Sequence, residues 1–259
     1  MNPCPCPVIH ADAHWRTVDF ISDLHLSAES PATFAAWERY LQETPADAVW
    51  ILGDLFEVWV GDDAALSHPD SFEGHCVQAL KQATQRLSVS FLPGNRDFLV
   101  GDDLLAHCGV LRLADPTVLH IWDRRVLVSH GDAWCLDDVE YQAFRQQVRS
   151  PAWQNDFLSK PLLERQAVAR HMRQASETRK SGLPDMSLWA DVDRDEALKW
   201  MGDTNAADFV HGHTHRPGSQ PLAPGRTRHV LSDWDRDGQT PRSEALRLTR
   251  EGWQRVSLR

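Results

Sequence analysis

The stretch VDFISDLHLS, residues 18–27, begins with an apolar run and ends in the polar sequence Asp23-Leu24-His25. Such a run, closed by a polar loop, is typical of a buried β-strand. The arrangement recurs at 48–52 before Gly53-Asp54 and at 89–92 before Gly94-Asn95-Arg96-Asp97. Stretches of helical character at 31–43 and 72–86 lie between these runs. The alternation predicts a layered α/β fold.

Two further strand-and-loop units follow along the chain. The run 126–128 precedes His130-Gly131-Asp132, and Phe209-Val210 precedes HGHTH at 211–215. Beyond Pro217, turn residues separate short apolar runs, which predicts closing β-hairpins. Because the carboxyl ends of strands line the ligand crevice of an α/β sheet, we expect the five loops to converge.

Composition limits the class of protein. The 259 residues are 42% hydrophobic and 25% charged, which is typical of a soluble globular chain with one large core. The net charge of -10 disfavours a nonspecific nucleic-acid binder, so we expect no nucleic-acid partner. We also predict no obligate protein partner.

The five cysteines form no C-x-x-C pair, which favours a reduced compartment, and we predict a cytoplasmic protein. No apolar run approaches the roughly 18 residues that span a bilayer. Any contact with a membrane is therefore expected to be peripheral.

Residues 137–202 differ from the rest of the chain. Strand patterns disappear, and Gln, Ala, Leu and Arg dominate, with breaks at Ser150-Pro151, Lys160-Pro161 and Gly182-Leu183-Pro184. We predict a helical lid insertion at 137–202 within a core formed by 1–136 and 203–259. Its basic residues either face an anionic ligand or lipid surface or are merely solvated. Its apolar residues, such as Phe157, Leu162, Val168 and Met172, either line a substrate cavity or fill the interface with the core.

Seven side chains of the five loops are candidate metal ligands: Asp23, His25, Asp54, Asn95, His130, His213 and His215. In D-x-H and H-x-H, residues two apart point the same way along an extended strand. Seven ligands are too many for one ion, so we predict two ions roughly 3.5 to 4 Å apart that share one carboxylate. Oxygen and nitrogen ligands without thiolate suit Mn²⁺ or Fe²⁺, with Zn²⁺ as an alternative.

Each motif alone has an ordinary structural explanation. A Gly-Asp or Gly-Asn pair after a strand is usually a turn, and a single histidine is usually a core or surface residue. The recurrence of all five motifs, in order and at strand ends, favours the metal site.

In their order D-x-H, GD, GN-R-D, HGD and GH-x-H, the loops resemble those of the calcineurin-like metallophosphoesterases. That resemblance implies an αββα sandwich with a helical lid insertion. Several longer stretches are similar to the UDP-2,3-diacylglucosamine hydrolase family: FISDLHLS (20–27), GDLFEVWVGDD (53–63), LPGNRDFLVG (92–101), SHGDAWCLDDVEYQAFRQQVR (129–149) and HGHTHRP (211–217).

The resemblance implies hydrolysis of the diphosphate of UDP-2,3-diacylglucosamine to UMP and 2,3-diacylglucosamine 1-phosphate (lipid X), in lipid A biosynthesis. It implies two Mn²⁺ ions per chain, a nucleotide-linked glycolipid substrate, and peripheral attachment to the cytoplasmic face of the inner membrane. One ion would be held by Asp23, His25, Asp54 and His215, and the other by Asp54, Asn95, His130 and His213.

Arg96 bears on the leaving group. Arginine stays charged at physiological pH and cannot act as a general acid, so the leaving group must already be acidic. A phosphate monoester with a second pKa near 6 needs no proton, and Arg96 can grip phosphate oxygens in a bidentate manner. Alternatively, Arg96 forms only a salt bridge with Asp97. The hypothesis is in-line attack of metal-activated water on the uridine-side phosphorus, with Asn95, Arg96 and His130 as catalytic residues.

By resemblance, the substrate-binding residues are Asn95, Arg96, Asp138, Tyr141, Ser176, Lys180 and His213. Beyond Ser176 the match to the family weakens, and Lys180 or Arg179 replaces the usual contacts. Two other functional hypotheses remain. The first is a calcineurin-like phosphodiesterase or pyrophosphatase that acts on a soluble nucleotide, and the second is a non-catalytic scaffold of the same fold. The complete set of seven ligand positions argues against the scaffold.

Overall fold

The computed structural model describes residues 6–181 and 190–258, with side chains omitted for 175–181. The strands are β1 (Val8–His10), β2 (Val18–Ile21), β3 (Ala48–Leu52), β4 (Ser88–Leu92), β5 (Leu111–Arg112), β6 (Thr117–Ile121), β7 (Arg124–Ser129), β8 (Asp208–His211), β9 (Gly218–Ala223), β10 (Arg226–Val230), β11 (Glu244–Thr249) and β12 (Gly252–Ser257). The helices are α1 (Pro31–Glu43), α2 (Asp63–Leu66), α3 (Phe72–Ala83), α4 (Asp102–Cys108), α5 (Val139–Val148), α6 (Pro151–Leu158), α7 (Leu162–Ser181) and α8 (Arg194–Asp203).

The strands form two six-stranded sheets. The first has the order β12-β11-β2-β3-β4-β5 and the second the order β1-β6-β7-β8-β10-β9. Strands β2, β3 and β4 are parallel neighbours in the first sheet, and β7 and β8 are parallel neighbours in the second. The carboxyl ends of these five strands carry the five polar loops of the sequence.

Three apolar clusters fix the layers. Residues of both sheets, including Phe20, Trp50 and Val128, form the cluster between the sheets. Helices α1, α3 and α4 cover the outer face of the first sheet, and Met201 of α8 packs with Phe209 on the second. The order of layers is helix, sheet, sheet, helix, and the predicted αββα sandwich is confirmed.

Several elements occur where the sequence places them. Strands 18–21 and 48–52 and helix 31–43 match the predicted bounds. The helix predicted at 72–86 is shorter in the structure: it ends at Ala83, and Thr84 is its C-cap. The sequence patterns do not predict β1, β5, β6, α2 or α4.

Helices α5, α6 and α7 follow the fourth polar loop. Ser150 caps α6 through its side chain, with Pro151 at the first position of the helix, so the predicted break is present. The Arg165 side chain of α7 is buried and donates to the Asp63 carboxylate. The break predicted at 182–184 lies outside the described residues, and the division into core and lid insertion stays a prediction.

Among the described helices, none has the length and apolar character that crossing a bilayer requires.

Candidate metal centre

Backbone hydrogen bonds bring the polar loops together. The N–H of Asp23 donates to the Gly53 carbonyl at 3.1 Å, and that of His25 donates to the Asp54 carbonyl at 3.0 Å. The N–H of His213 donates to the Asp23 carboxylate at 3.0 Å, which joins a loop of the second sheet to one of the first. The predicted convergence of these loops is therefore present.

The backbone at five of the seven candidate ligands is left-handed. The φ angles are 55° at Asp23, 49° at His25, 52° at Asp54, 65° at His213 and 52° at His215. Non-glycine residues seldom adopt such angles, and they concentrate at functional sites. The explanation by strand alternation is wrong, because D-x-H and H-x-H lie beyond the strand ends and turn there.

The first group of ligand atoms comes from Asp23, His25 and His215, whose candidate donors all lie within 4.8 Å of one another. Nε2 of His25 is 3.4 Å from Nε2 of His215, which is itself 3.4 Å from Oδ1 of Asp23. Oδ2 of Asp54 lies 3.9 Å from Nε2 of His25. Both Nε2 atoms therefore face a small space edged by carboxylate oxygens.

The second group comes from Asp23, Asp54 and His130, within the same 4.8 Å limit. Nε2 of His130 is 3.7 Å from Oδ1 of Asp54 and 3.0 Å from Oδ1 of Asn95. Nδ1 of His213 lies 2.7 Å from the same Asn95 oxygen. Asp54 thus approaches both groups, as a bridging ligand would, although Asp23 also approaches both.

The imidazole orientations test whether these residues fit a metal ion. Nδ1 of His25 is 2.9 Å from the Glu57 carboxylate, and Nδ1 of His215 is 3.5 Å from that of Asp233. With both Nδ1 atoms toward carboxylates, the two Nε2 atoms point into the same space, 3.4 Å apart. Histidines that bind a metal ion through one nitrogen commonly direct the other toward a carboxylate, so this orientation fits metal ligation.

His130 shows the same orientation on the other side. Its Nδ1 is 2.8 Å from the Leu52 carbonyl oxygen, which only a protonated nitrogen can approach favourably. Its Nε2 then faces the Asn95 oxygen at 3.0 Å, and it is the ring atom that could bind a metal ion after losing its proton. The donor set of this centre therefore suits divalent metal ions.

Electrostatics agree with this assignment. Burial lowers the pKa of His130, but Asp54, Asp132 and Asp23 outweigh it and raise that pKa to about 9. Burial and then the neighbouring His130 lower the pKa of His213 to about 4. The high pKa of His130 reflects three carboxylates close to its ring, and the same carboxylates would attract a divalent cation.

Comparison with known proteins identifies the family. The model of the calcineurin-like phosphoesterases matches residues 16–217. A protein of Stenotrophomonas maltophilia named UDP-2,3-diacylglucosamine hydrolase is 40% identical over 92% of this chain and 96% of its own. Proteins of that name from Xanthomonas campestris (41%; 91% and 98%) and Chromobacterium violaceum (40%; 84% and 90%) are similarly close. This chain belongs to the UDP-2,3-diacylglucosamine hydrolase family of calcineurin-like phosphoesterases.

In this family member, Arg96 lies at the edge of the metal centre. Its backbone N–H donates to Oδ1 of Asp54 at 2.8 Å, and its Nη1 is 3.6 Å from Oε1 of Glu57. The alternative salt bridge with Asp97 is wrong, because the Asp97 carboxylate is buried and accepts backbone N–H groups, including those of Gly94 and Leu55.

The predicted substrate-binding residues fall into three places. The Tyr141 ring stacks beside His213 with centroids 5.9 Å apart, and its hydroxyl donates to Asp132. Asp138 caps helix α5 by accepting the Tyr141 N–H at 3.0 Å. The Ser176 and Lys180 side chains, and that of Arg179, lie outside the described residues.

A cavity of about 430 Å³ adjoins the candidate metal centre and is lined in part by helices α5, α6 and α7. Phe157 and Met172, which the sequence proposes as lid-wall residues, line it, whereas Leu162 and Val168 pack against the first-sheet core. Its lining also includes Trp59, Asn95, Arg96, Phe98, Leu99, Tyr141, Phe144, Trp153 and Arg173.

Three acidic residues of the site were missed by the sequence analysis. Glu57 and Asp233 face the candidate ligands His25 and His215, and Asp132 accepts from the Tyr141 hydroxyl and from Arg145. Glu57 and Asp132 both occur in quoted motifs, GDLFE and HGD, but nothing in a single sequence shows which carboxylates support ligands rather than serve as ligands.

Proposed function

We propose that this protein hydrolyses the diphosphate of UDP-2,3-diacylglucosamine to UMP and 2,3-diacylglucosamine 1-phosphate (lipid X), a step of lipid A biosynthesis. The proposal rests on the position of two residues that the metal centre and the adjoining cavity have in common. Asn95 and Arg96 edge the metal centre and also line the largely apolar cavity under the lid. A substrate with a diphosphate at one end and acyl chains at the other matches this arrangement. The relatives bear this substrate in their name.

Two Mn²⁺ ions are the proposed cofactors, with Fe²⁺ or Zn²⁺ as alternatives. Asp23, His25, Asp54 and His215 would hold one, and Asp54, Asn95, His130 and His213 the other. Such ions supply Lewis-acid stabilisation of phosphoryl oxygens and activation of water.

The chain itself contributes binding and orientation. The Asn95 oxygen faces His130 and His213, which leaves its amide N–H₂ group to donate toward a phosphoryl oxygen. The Arg96 guanidinium offers paired donors to phosphate but no transferable proton. The leaving group of this reaction, a phosphate monoester, departs without one.

We further propose that water attacks the uridine-side phosphorus. Hydrolysis in ¹⁸O-water followed by mass spectrometry of both products tests this assignment. Label in UMP is the expected result, and label in the lipid phosphate would overturn it.

We place the protein at the cytoplasmic face of the inner membrane as a peripheral protein, because its proposed substrate carries two acyl chains and its lid helices are basic. Co-sedimentation with anionic vesicles, and its loss at high salt, tests this placement.

The main experiment measures Mn²⁺-dependent release of UMP from UDP-2,3-diacylglucosamine, beside UDP-glucose and bis-p-nitrophenyl phosphate. We expect hydrolysis of the lipid substrate and little of UDP-glucose. Hydrolysis of the aryl ester alone would favour a phosphodiesterase with a soluble substrate. Absence of both activity and bound metal would favour a scaffold.

A further inference from the structure

The Glu57 carboxylate occupies a junction between the metal centre, the loop that carries Arg96, and the lid. It lies three residues beyond Asp54 in the loop after β3, and 13% of its side chain is exposed. Its neighbours are the His25 imidazole and the guanidinium groups of Arg96 and Arg173.

One carboxylate oxygen faces the metal centre. Oε2 lies 2.9 Å from Nδ1 of His25, although the ring N–H is not aligned well enough to count as a hydrogen bond. A carboxylate at this nitrogen favours the tautomer whose free lone pair is on Nε2, the atom that faces His215.

The other oxygen faces two guanidinium groups. Oε1 is 3.6 Å from Nη1 of Arg96 and 3.3 Å from Nε of Arg173 on lid helix α7. Both arginines also line the apolar cavity. Both guanidinium groups therefore lie where the phosphates of a substrate that enters the cavity could meet them.

From this geometry we infer that Glu57 is a positioning residue for the proposed reaction. Through one oxygen it orients His25 toward the metal, and through the other it holds Arg96 and Arg173 together at the mouth of the cavity. Nothing in the sequence motifs separates this role from that of a ligand. The inference rests on the proposed function, and it adds a link between the lid and the metal ligands.

The first test measures metal binding without substrate. Glu57→Gln keeps the size of the side chain and removes its charge, and Glu164→Gln, at an exposed position in the first turn of α7, is the matched control. In calorimetric titration of metal-free protein with Mn²⁺, we expect Glu57→Gln to weaken binding at one site by about 10- to 100-fold. We expect Glu164→Gln to bind as the wild type does. Unchanged affinity in Glu57→Gln would overturn the His25 half of the inference.

The second test is a double-mutant cycle at saturating Mn²⁺ with the lipid substrate. If Glu57 positions Arg173, then Arg173→Gln lowers kcat/KM much less in the Glu57→Gln background than in the wild type, by about fivefold or more. Equal losses in both backgrounds would overturn the arginine half.

Thermal melting shows whether each variant is folded. If Glu57→Gln does not fold, Glu57→Asp replaces it, because the shorter side chain cannot reach His25 and the arginines together. A wild-type protein inactive on the lipid substrate would refute the proposed function, whereas the metal titration would still decide the role of Glu57 toward His25.

Discussion

The buried carboxylate of Asp97 accepts a hydrogen bond of 2.7 Å from the backbone N–H of Leu55. The same carboxylate accepts the N–H of Gly94, also at 2.7 Å. One side chain thus ties the loop after β3 to the loop after β4. Since Asp54 and Asn95 belong to these loops, Asp97 fixes the distance between two candidate metal ligands.

Removal of this carboxylate should destabilise the protein. Asp97→Ala leaves at least two backbone N–H groups buried without an acceptor, and each costs about 1–3 kcal/mol. We expect the free energy of unfolding in urea to fall by about 2–5 kcal/mol. Asp103→Ala, at an exposed position in α4, should change it by less than about 0.5 kcal/mol. A similar small change in both variants would show that Asp97 does not brace the loops.

Gly94 allows the two loops to approach closely. A Cβ atom at this position would lie 2.2 Å from Oδ1 and 2.4 Å from the backbone nitrogen of Asp54, and the backbone cannot yield cheaply. We expect Gly94→Ala to displace Asp54 and to reduce both bound manganese, measured by elemental analysis, and activity.

The control for Gly94→Ala is Gly202→Ala in helix α8. There the nearest atom to the added Cβ belongs to the end of the flexible Arg226 side chain, at 3.4 Å. Alanine also favours a helix by roughly 0.5–1 kcal/mol over glycine, so this variant should retain metal and stability. Normal metal content in Gly94→Ala would mean that the loops adjust.

The sequence predicts the fold well where a strand lies in the buried centre of a sheet and is made mostly of apolar residues. Strands 18–21 and 48–52 are fully buried and, apart from Asp19, consist of apolar residues, and the predicted bounds are those observed. Strand β6 was missed because Thr117 and His120 interrupt its apolar residues and no glycine-rich loop marks its end. Strand β5 has only two residues, too few for any periodicity.

The candidate ligands could be predicted because their side-chain types and order along the chain carry the chemistry. The backbone geometry that brings these ligands together could not be predicted. The left-handed backbone at Asp23 and His25 depends on packing between loops, which one sequence does not display. For the same reason the partner of Arg96 was open between phosphate and Asp97, and Glu57 was not considered.

Metal binding should stabilise the folded protein. The centre places the buried carboxylates of Asp23 and Asp54 beside the imidazoles of His25, His130 and His215, so a divalent cation should bind the folded state far better than the unfolded one. At 100 times its dissociation constant, an ion bound at one site adds about 2.7 kcal/mol. We expect the Tm of chelator-treated protein to rise with Mn²⁺ concentration in scanning fluorimetry. Asp54→Asn should lose most of this rise, and an identical rise in that variant would exclude Asp54 as a shared ligand.

Arg96 should stabilise the transition state without donating a proton. Loss of one such donor typically lowers kcat by about 10²–10³, so we expect Arg96→Ala to lower kcat to this extent at saturating Mn²⁺. The shape of the pH–rate profile between about pH 6 and 9 should stay that of the wild type, because arginine does not titrate there. Arg250→Ala, an exposed arginine over Trp122, is the control. Loss of one limb of the profile in Arg96→Ala would show that its neighbourhood contributes an acid or a base.

The apolar cavity should recognise the acyl chains and not the nucleotide. Phe144 of α5 lines the cavity, and 38% of its surface is exposed, so its removal should cost little stability. We expect Phe144→Ala to raise KM for the diacyl substrate by several-fold, since about 1 kcal/mol of apolar contact is lost, and to leave kcat nearly unchanged. Val139→Ala, on the same helix and 72% exposed, should leave KM unchanged. If both variants bind the lipid as the wild type does, the acyl chains do not contact this part of the cavity.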